Sequence, residues 1–225
     1  MANARRAFSE PTGCMGGLNE IYDHLAQDFL FPDPQRILTF LDNHDTDRFL
    51  SQAPETEADL GPWKQAMTWL LTTRGIPQIY YGTELLMSGT KARTDGDVRR
   101  DMPGGFPEDE TDCFDPAGRT PLQQEAWDFL SGLLHFRRGE LNDVIAHGSL
   151  KHFMPEDGVY VYERRLGDRS VTVLMNGNDE PRKIDTSRIA EILPPGSVRT
   201  DVISGNRVRV EPDMSFEPRQ ILILV

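Results

Sequence analysis

An apolar run of strand length, residues 37–41, stops abruptly at a dense polar cluster, Asp42-Asn43-His44-Asp45-Thr46-Asp47-Arg48. That contrast is expected of a buried parallel strand that delivers side chains to the carboxyl edge of a sheet or barrel. Upstream, Leu18, Ile21, Tyr22, Leu25, Phe29 and Leu30 recur at near-helical spacing and predict a helix over 17–30, stopped by Pro32 and Pro34. A short helix is predicted over 2–8, broken at Pro11-Thr12-Gly13. Downstream, Trp63, Met67, Leu70 and Leu71 define one face of a helix over 60–73, with Pro62 in its first turn and Arg74-Gly75 closing it. Residues 76–82 read as a second buried strand, with Pro77 at its beginning because proline cannot donate to a ladder. Residues 88–120, rich in Gly, Pro and Asp, are too long for an idle connector and read as a functional loop. A further helix over 121–138 places Leu122, Ala126, Phe129, Leu130, Leu133 and Leu134 inward. The alternation of helix and strand predicts parallel strands with crossover helices.

Beyond residues 139–148 the pattern changes. Short β-rich runs at 150–154, 159–166, 170–176, 198–203, 207–210 and 220–225 are separated by turn signals such as Asp157-Gly158, Asn176-Gly177 and Ser204-Gly205-Asn206. Tyr160/Tyr162 and Val171/Val173 alternate with period two, predicting a small antiparallel sandwich. Two domains are therefore expected, an α/β unit over 1–138 and an all-β unit over 147–225.

Charge narrows the partners. The 225 residues carry a net charge of −12, which disfavours nucleic acid and anionic membrane surfaces and suits a neutral ligand or a protein partner. No apolar run approaches the ~18 residues of a membrane span. The N-terminus lacks the apolar core of a signal peptide, and localisation stays unassigned. Cys14 and Cys113 read as free thiols, and no Cys/His spacing suggests zinc.

Phe40-Leu41-Asp42-Asn43-His44-Asp45 resembles the end of barrel strand seven in the α-amylase family of glycoside hydrolases. Two further segments resemble that family in the same order. The run 74–84, Arg-Gly-Ile-Pro-Gln-Ile-Tyr-Tyr-Gly-Thr-Glu, is similar to the passage from helix seven into strand eight. The run 95–105, Asp-Gly-Asp-Val-Arg-Arg-Asp-Met-Pro-Gly-Gly, resembles the loop after strand eight in the neopullulanase and cyclomaltodextrinase branch. The β-rich segment resembles the family's C-terminal domain. The resemblance implies the last strands and helices of a (β/α)8 barrel, from about helix six to helix eight, followed by an antiparallel β-sandwich.

It also implies roles. Retaining glycosidases use one carboxylate as nucleophile and one as acid/base, and a further carboxylate can grip the distorted sugar. Asp45 would be that gripping, transition-state-stabilising carboxylate, His44 would donate to a hydroxyl of the same sugar, and Asp95 and Arg99 would touch neighbouring sugars. Without the resemblance, a His-Asp pair at a strand end reads as a structural hydrogen-bonded pair, and Asp95 and Arg99 as a solvated loop. The implied substrate is an α-glucan or maltooligosaccharide joined by α-1,4 linkages, with α-1,6 linkages left open. The family's strand-four and strand-five motifs, which carry nucleophile and acid/base, have no counterpart in these residues. The chain alone is therefore expected to be inactive, or to serve as a noncatalytic binding or assembly fragment. Two barrel strands alone expose ladder edges, so self-association through them is expected. No cofactor is expected; calcium is left open for a longer parent, with no site identifiable in this chain. Asp42, Asn43, Thr46 and Arg48 are open between orienting the site and touching sugar, with Arg48 a candidate anchor for carboxylates. Tyr80 and Tyr81 are expected in the core rather than as a stacking platform.

Overall fold

The computed structural model describes residues 4–13, 16–51 and 59–225. Cys14 lies outside them. Helix α1 (Ala4–Ser9) and helix α2 (Leu18–Leu25) precede strand β1 (Leu38–Phe40). Helix α3 (Leu60–Thr72) then crosses to strand β2 (Ile76–Gln78), and β2 pairs with β1 in parallel, Leu38 opposite Ile76 and Phe40 opposite Gln78. The predicted parallel pairing is present, but each strand is shorter than its apolar run. Pro77 stands in the middle of β2 rather than at its start. The helix expected over 17–30 ends at Leu25, and the rest closes as a 3₁₀ turn at Asp28–Leu30 that leaves Phe29 82 % exposed.

The helices form for local reasons. Asp59 caps α3 by accepting from the Gly61 N–H at 2.8 Å. Helix α4 (Pro121–Arg138) starts with a capping box in which Thr120 and Gln123 satisfy each other's backbone N–H groups, with Pro121 at the first position. Trp63 of α3 is fully buried and meets Phe129 of α4 with ring centroids 6.2 Å apart. A short helix that the hydrophobic pattern did not announce, α5 (Asn142–His147), follows α4 and buries Val144 and Ile145.

The remaining chain is antiparallel. Strands β3 (Ser149–Glu156), β4 (Val159–Leu166), β5 (Arg169–Asn176) and β10 (Ile221–Leu224) form one sheet in the order β10-β5-β4-β3. Strand β6 (Arg182–Asp185) pairs with β9 (Asp213–Phe216), and β7 (Val198–Thr200) pairs with β8 (Arg207–Arg209).

Alternation along β4 separates two kinds of apolar side chain rather than apolar from polar. Tyr160 and Tyr162 point into a core shared with α1, α2, α3 and α4. Val159 and Val161 point into a second core with Ile184, Val210, Met214 and Phe216. Both faces of the four-stranded sheet are thus covered, one by helices and one by the β6–β9 and β7–β8 side. A polar seam ties sheet to helices. The Gln65 amide on α3 donates to the Asn176 carbonyl at 2.6 Å, and Arg219 donates to the carbonyls of Phe8 at 2.9 Å and Gly177 at 3.1 Å.

Candidate active site

The polar cluster follows β1 as a tight turn. The Asn43 side chain accepts from the Asp45 N–H at 2.8 Å, and the Thr46 hydroxyl accepts from the Asn43 N–H at 3.0 Å. These bonds consume the short polar side chains in shaping backbone, as Asx and hydroxyl turns do. Asp42 is buried. Its carboxylate accepts from the Phe49 N–H at 3.0 Å and the Thr83 hydroxyl at 3.3 Å. Burial raises its pKa against the opposing pull of those bonds and of Arg48. Asn43 and Asp42 therefore orient the turn.

His44 and Asp45 project outward, each with a side chain 61 % exposed and with Nε2 of His44 3.2 Å from the Asp45 carboxylate. The loop after β2 comes back over them. Arg99 donates through Nε to the His44 carbonyl at 3.0 Å and through Nη2 to the Asp45 carboxylate at 3.1 Å. The same Nη2 lies 3.7 Å from the Asp95 carboxylate, and Lys91 lies 3.3 Å from its other side. All four predicted site residues are gathered into one exposed cluster, although Asp45 and Arg99 are 54 positions apart. Such exposed pairs contribute little stability. Their arrangement sets out carboxylates, an imidazole and a guanidinium that can exchange partners for the hydroxyls of a polar ligand.

The loop is pinned from the turn and from within by further hydrogen bonds. Asp47 accepts from the Lys91 N–H at 2.7 Å and the Thr90 hydroxyl at 3.1 Å, and the Thr90 N–H donates to Asp97 at 2.7 Å. The bond from Thr90 pulls the pKa of Asp97 down. Arg48 differs from its expected role. It is buried and meets carbonyls, donating to Val98 at 3.0 Å and Tyr81 at 2.5 Å, rather than carboxylates. Its guanidinium sits 4.0 Å from the Tyr80 ring centroid and 4.8 Å from that of Tyr81. Those two tyrosines depart from the core expectation for this reason: Tyr80 is half-buried, Tyr81 is exposed, and the Tyr81 hydroxyl donates to the Arg100 carbonyl at 2.8 Å.

Glu84, which sequence reasoning passed over, faces a groove of about 910 Å³ together with Tyr80, Tyr81, Trp127 and His135. Burial raises its pKa. In the sequence it stands only as the last residue of the run 74–84, two positions after Gly82, which turns the chain at φ 79°. Among the described residues no group of three His, Cys, Asp or Glu side chains converges to hold a metal, and no helix is long and apolar enough to cross a membrane.

A parallel β1–α3–β2 unit with this cluster at its carboxyl edge, followed by antiparallel sheets, defines the class: an α/β unit with a polar site at its edge, joined to an all-β unit. Comparison with known proteins gives the class a family. The family described as alpha amylase, catalytic domain, matches residues 17–134, more than half of the chain. Residues 150–225 match the cyclo-malto-dextrinase C-terminal domain. The chain belongs to the α-amylase family.

Curated relatives include a cyclomaltodextrin glucanotransferase of Thermoanaerobacterium thermosulfurigenes, 31 % identical over 95 % of this chain and 27 % of that protein. An alpha-amylase of Niallia circulans is 31 % identical over 92 % of this chain and 34 % of that protein. Among solved structures, alpha-amylase from Geobacillus thermoleovorans, complexed with acarbose, aligns with a TM-score of 0.72 and 27 % identity over 99 % of this chain and 44 % of that one. The chain thus spans about a quarter to a third of the length of these curated relatives.

Proposed function

We propose that the chain is the C-terminal portion of a retaining α-glucan-active enzyme of the α-amylase family, acting on α-1,4 bonds with α-1,6 bonds as the second candidate linkage. Asp45 is the carboxylate that grips the sugar, His44 donates to a hydroxyl of that sugar, and Asp95 and Arg99 contact its neighbours. The observation that carries this reading is the convergence of these four side chains at one open edge. A carboxylate that hydrogen-bonds sugar hydroxyls does most when positive charge develops on the ring, because those bonds strengthen in the transition state. Bond cleavage also needs a nucleophile and an acid/base, and these are proposed to lie on a part of the enzyme outside residues 1–225. The relatives whose names refer to cyclomaltodextrin and amylase, and the acarbose complex, support an α-glucan as ligand.

The test is calorimetric titration of the pure chain with maltoheptaose and an assay of its hydrolysis. Binding that Asp45→Ala abolishes, without turnover, is expected. Turnover by the pure chain overturns the division of labour. Binding indifferent to Asp45→Ala transfers the role to another surface. A second reading, an assembly fragment without catalysis, is favoured by Leu38 and Ile76, which stand opposite each other on the paired strands and are both about half exposed.

A further inference from the structure

The edge of the four-stranded sheet carries a histidine for which the site described above has no use. Strand β3 has β4 on one side and no strand on the other, and its pairing with β4 shifts register between Phe153 and Glu156. His152, next to that shift, is half-buried where β3 meets α2. Its ring centroid lies 4.8 Å from that of Tyr22 on α2, and its Nδ1 lies 3.1 Å from the Tyr160 hydroxyl on β4. Tyr160 is fully buried, and burial keeps its phenol un-ionised. A buried phenol needs an acceptor for its proton, and Nδ1 of a neutral imidazole supplies one.

The charges that face this ring are engaged with one another. Asp28, just beyond α2, gives both carboxylate oxygens to Arg74, which donates through Nε at 3.0 and 2.8 Å and through Nη2 at 2.5 Å. At His152 the two oppose each other, Asp28 favouring a charged ring and Arg74 disfavouring it. His24 of α2 feels the same pair. Tyr162, opposite His152 across the ladder, shares a 2.6 Å bond with the Thr72 hydroxyl. Lys151 and Glu163, the neighbouring ladder pair, face the other side of the sheet, where Lys151 meets Glu191 and Glu163 meets Arg165. Among the described residues no carboxylate bonds to the His152 ring, so burial sets the balance and pushes its pKa down.

We propose that His152 is an acid-sensitive latch: neutral, it holds the edge strand β3 against α2, and protonated, it loosens that seam while the β6–β9 side stays packed. A protonated Nδ1 is a donor, so Tyr160 loses the acceptor for its own proton. A folded pKa below the unfolded one means that the latch contributes fully above the unfolded histidine value of about 6.5 and is lost as pH falls through the folded value. The opening is local, because an edge strand with an interrupted ladder has the fewest bonds to break.

Hydrogen exchange of the 225-residue chain at about pH 5.5 and about pH 7.5, corrected for intrinsic rates, tests it. Amides of β3 and α2 are expected to exchange severalfold faster at the lower pH, with those of β6 and β9 unchanged. His152→Gln, whose side-chain carbonyl can accept from Tyr160 and gains no proton, is expected to remove the difference, and His24→Gln to keep it. Proton NMR titration of the wild-type chain, which needs no variant, is expected to place the His152 midpoint below about 6.5. The proposal is overturned by a midpoint at or above that value, by acceleration spread evenly over the chain, by an acid response that survives His152→Gln, or by one that vanishes in His24→Gln.

Discussion

Arg48 is where the structure makes its sharpest quantitative demand. The side chain is 1 % exposed and holds two carbonyls, Val98 on the returning loop and Tyr81 at the end of β2. A bond from a charged donor contributes about 1.5–3 kcal/mol, and the contact with two tyrosine rings adds roughly 0.5–2 kcal/mol. Against this stands the desolvation of a guanidinium whose Nη2 has no partner. Replacing it with an apolar side chain of similar length removes both sides of the balance, so Arg48→Met is expected to cost about 2 kcal/mol. Arg48→Lys keeps a buried charge but cannot reach two carbonyls with a planar fork, and is expected to cost more, about 3 kcal/mol. Urea unfolding of the pure chain reads both, and the order is the diagnostic. A lysine variant as stable as wild type, or more stable than the methionine variant, refutes the argument that the fork geometry, rather than the charge, holds the loop.

Three further outcomes follow from the structure. Asp42 has a folded pKa above its unfolded value, so its contribution is fully present below the unfolded pKa and is lost as pH rises through the folded one. Asp42→Asn, which can still accept from Phe49 and meet Thr83, should therefore gain on wild type in urea midpoints as pH rises from 4 to 7; a constant difference refutes this. Gly75 has φ 104°, and an added Cβ would lie 2.7 Å from the Ile37 carbonyl, so Gly75→Ala should destabilise by roughly 1–3 kcal/mol in the same assay. The exposed Leu38 and Ile76 predict self-association at micromolar concentration that Leu38→Glu/Ile76→Lys relieves; sedimentation of the wild type as a monomer counts against it.

What could be read in the sequence depended on how local the cause was. The bounds of α4 were legible because proline, threonine and glutamine write a helix start within a few residues. The bounds of β4 were legible because Asp157-Gly158 and Gly167-Asp168 bracket it and Val and Tyr alternate along its first half. Strands β6 and β9 escaped notice because each is held chiefly by the other across a long separation, and charged residues interrupt both. The double burial of the four-stranded sheet was hidden for a different reason. Valine alternating with tyrosine looks like one buried face, yet it is two faces receiving different neighbours. At the site, residue types alone left Asp45 and Arg99 as two unrelated charged loops. Their joining depends on backbone bonds at Asp47, Thr90 and Arg48, and the partners of Arg48 are carbonyls, which carry no sequence signature.

The four-stranded sheet, covered on both faces along β4, β5 and β10, works as a party wall. Neither neighbour can be demolished separately. Removing residues after 148 would strip α1, α3 and α4 of the surface that Tyr160, Tyr162 and Ile223 provide, and removing the helices would uncover those same rings. A graft that moves this C-terminal segment onto another enzyme must therefore bring a matching helical surface with it, including a partner for Asn176 and Arg219. The interchangeable unit is the wall together with the rooms on both sides.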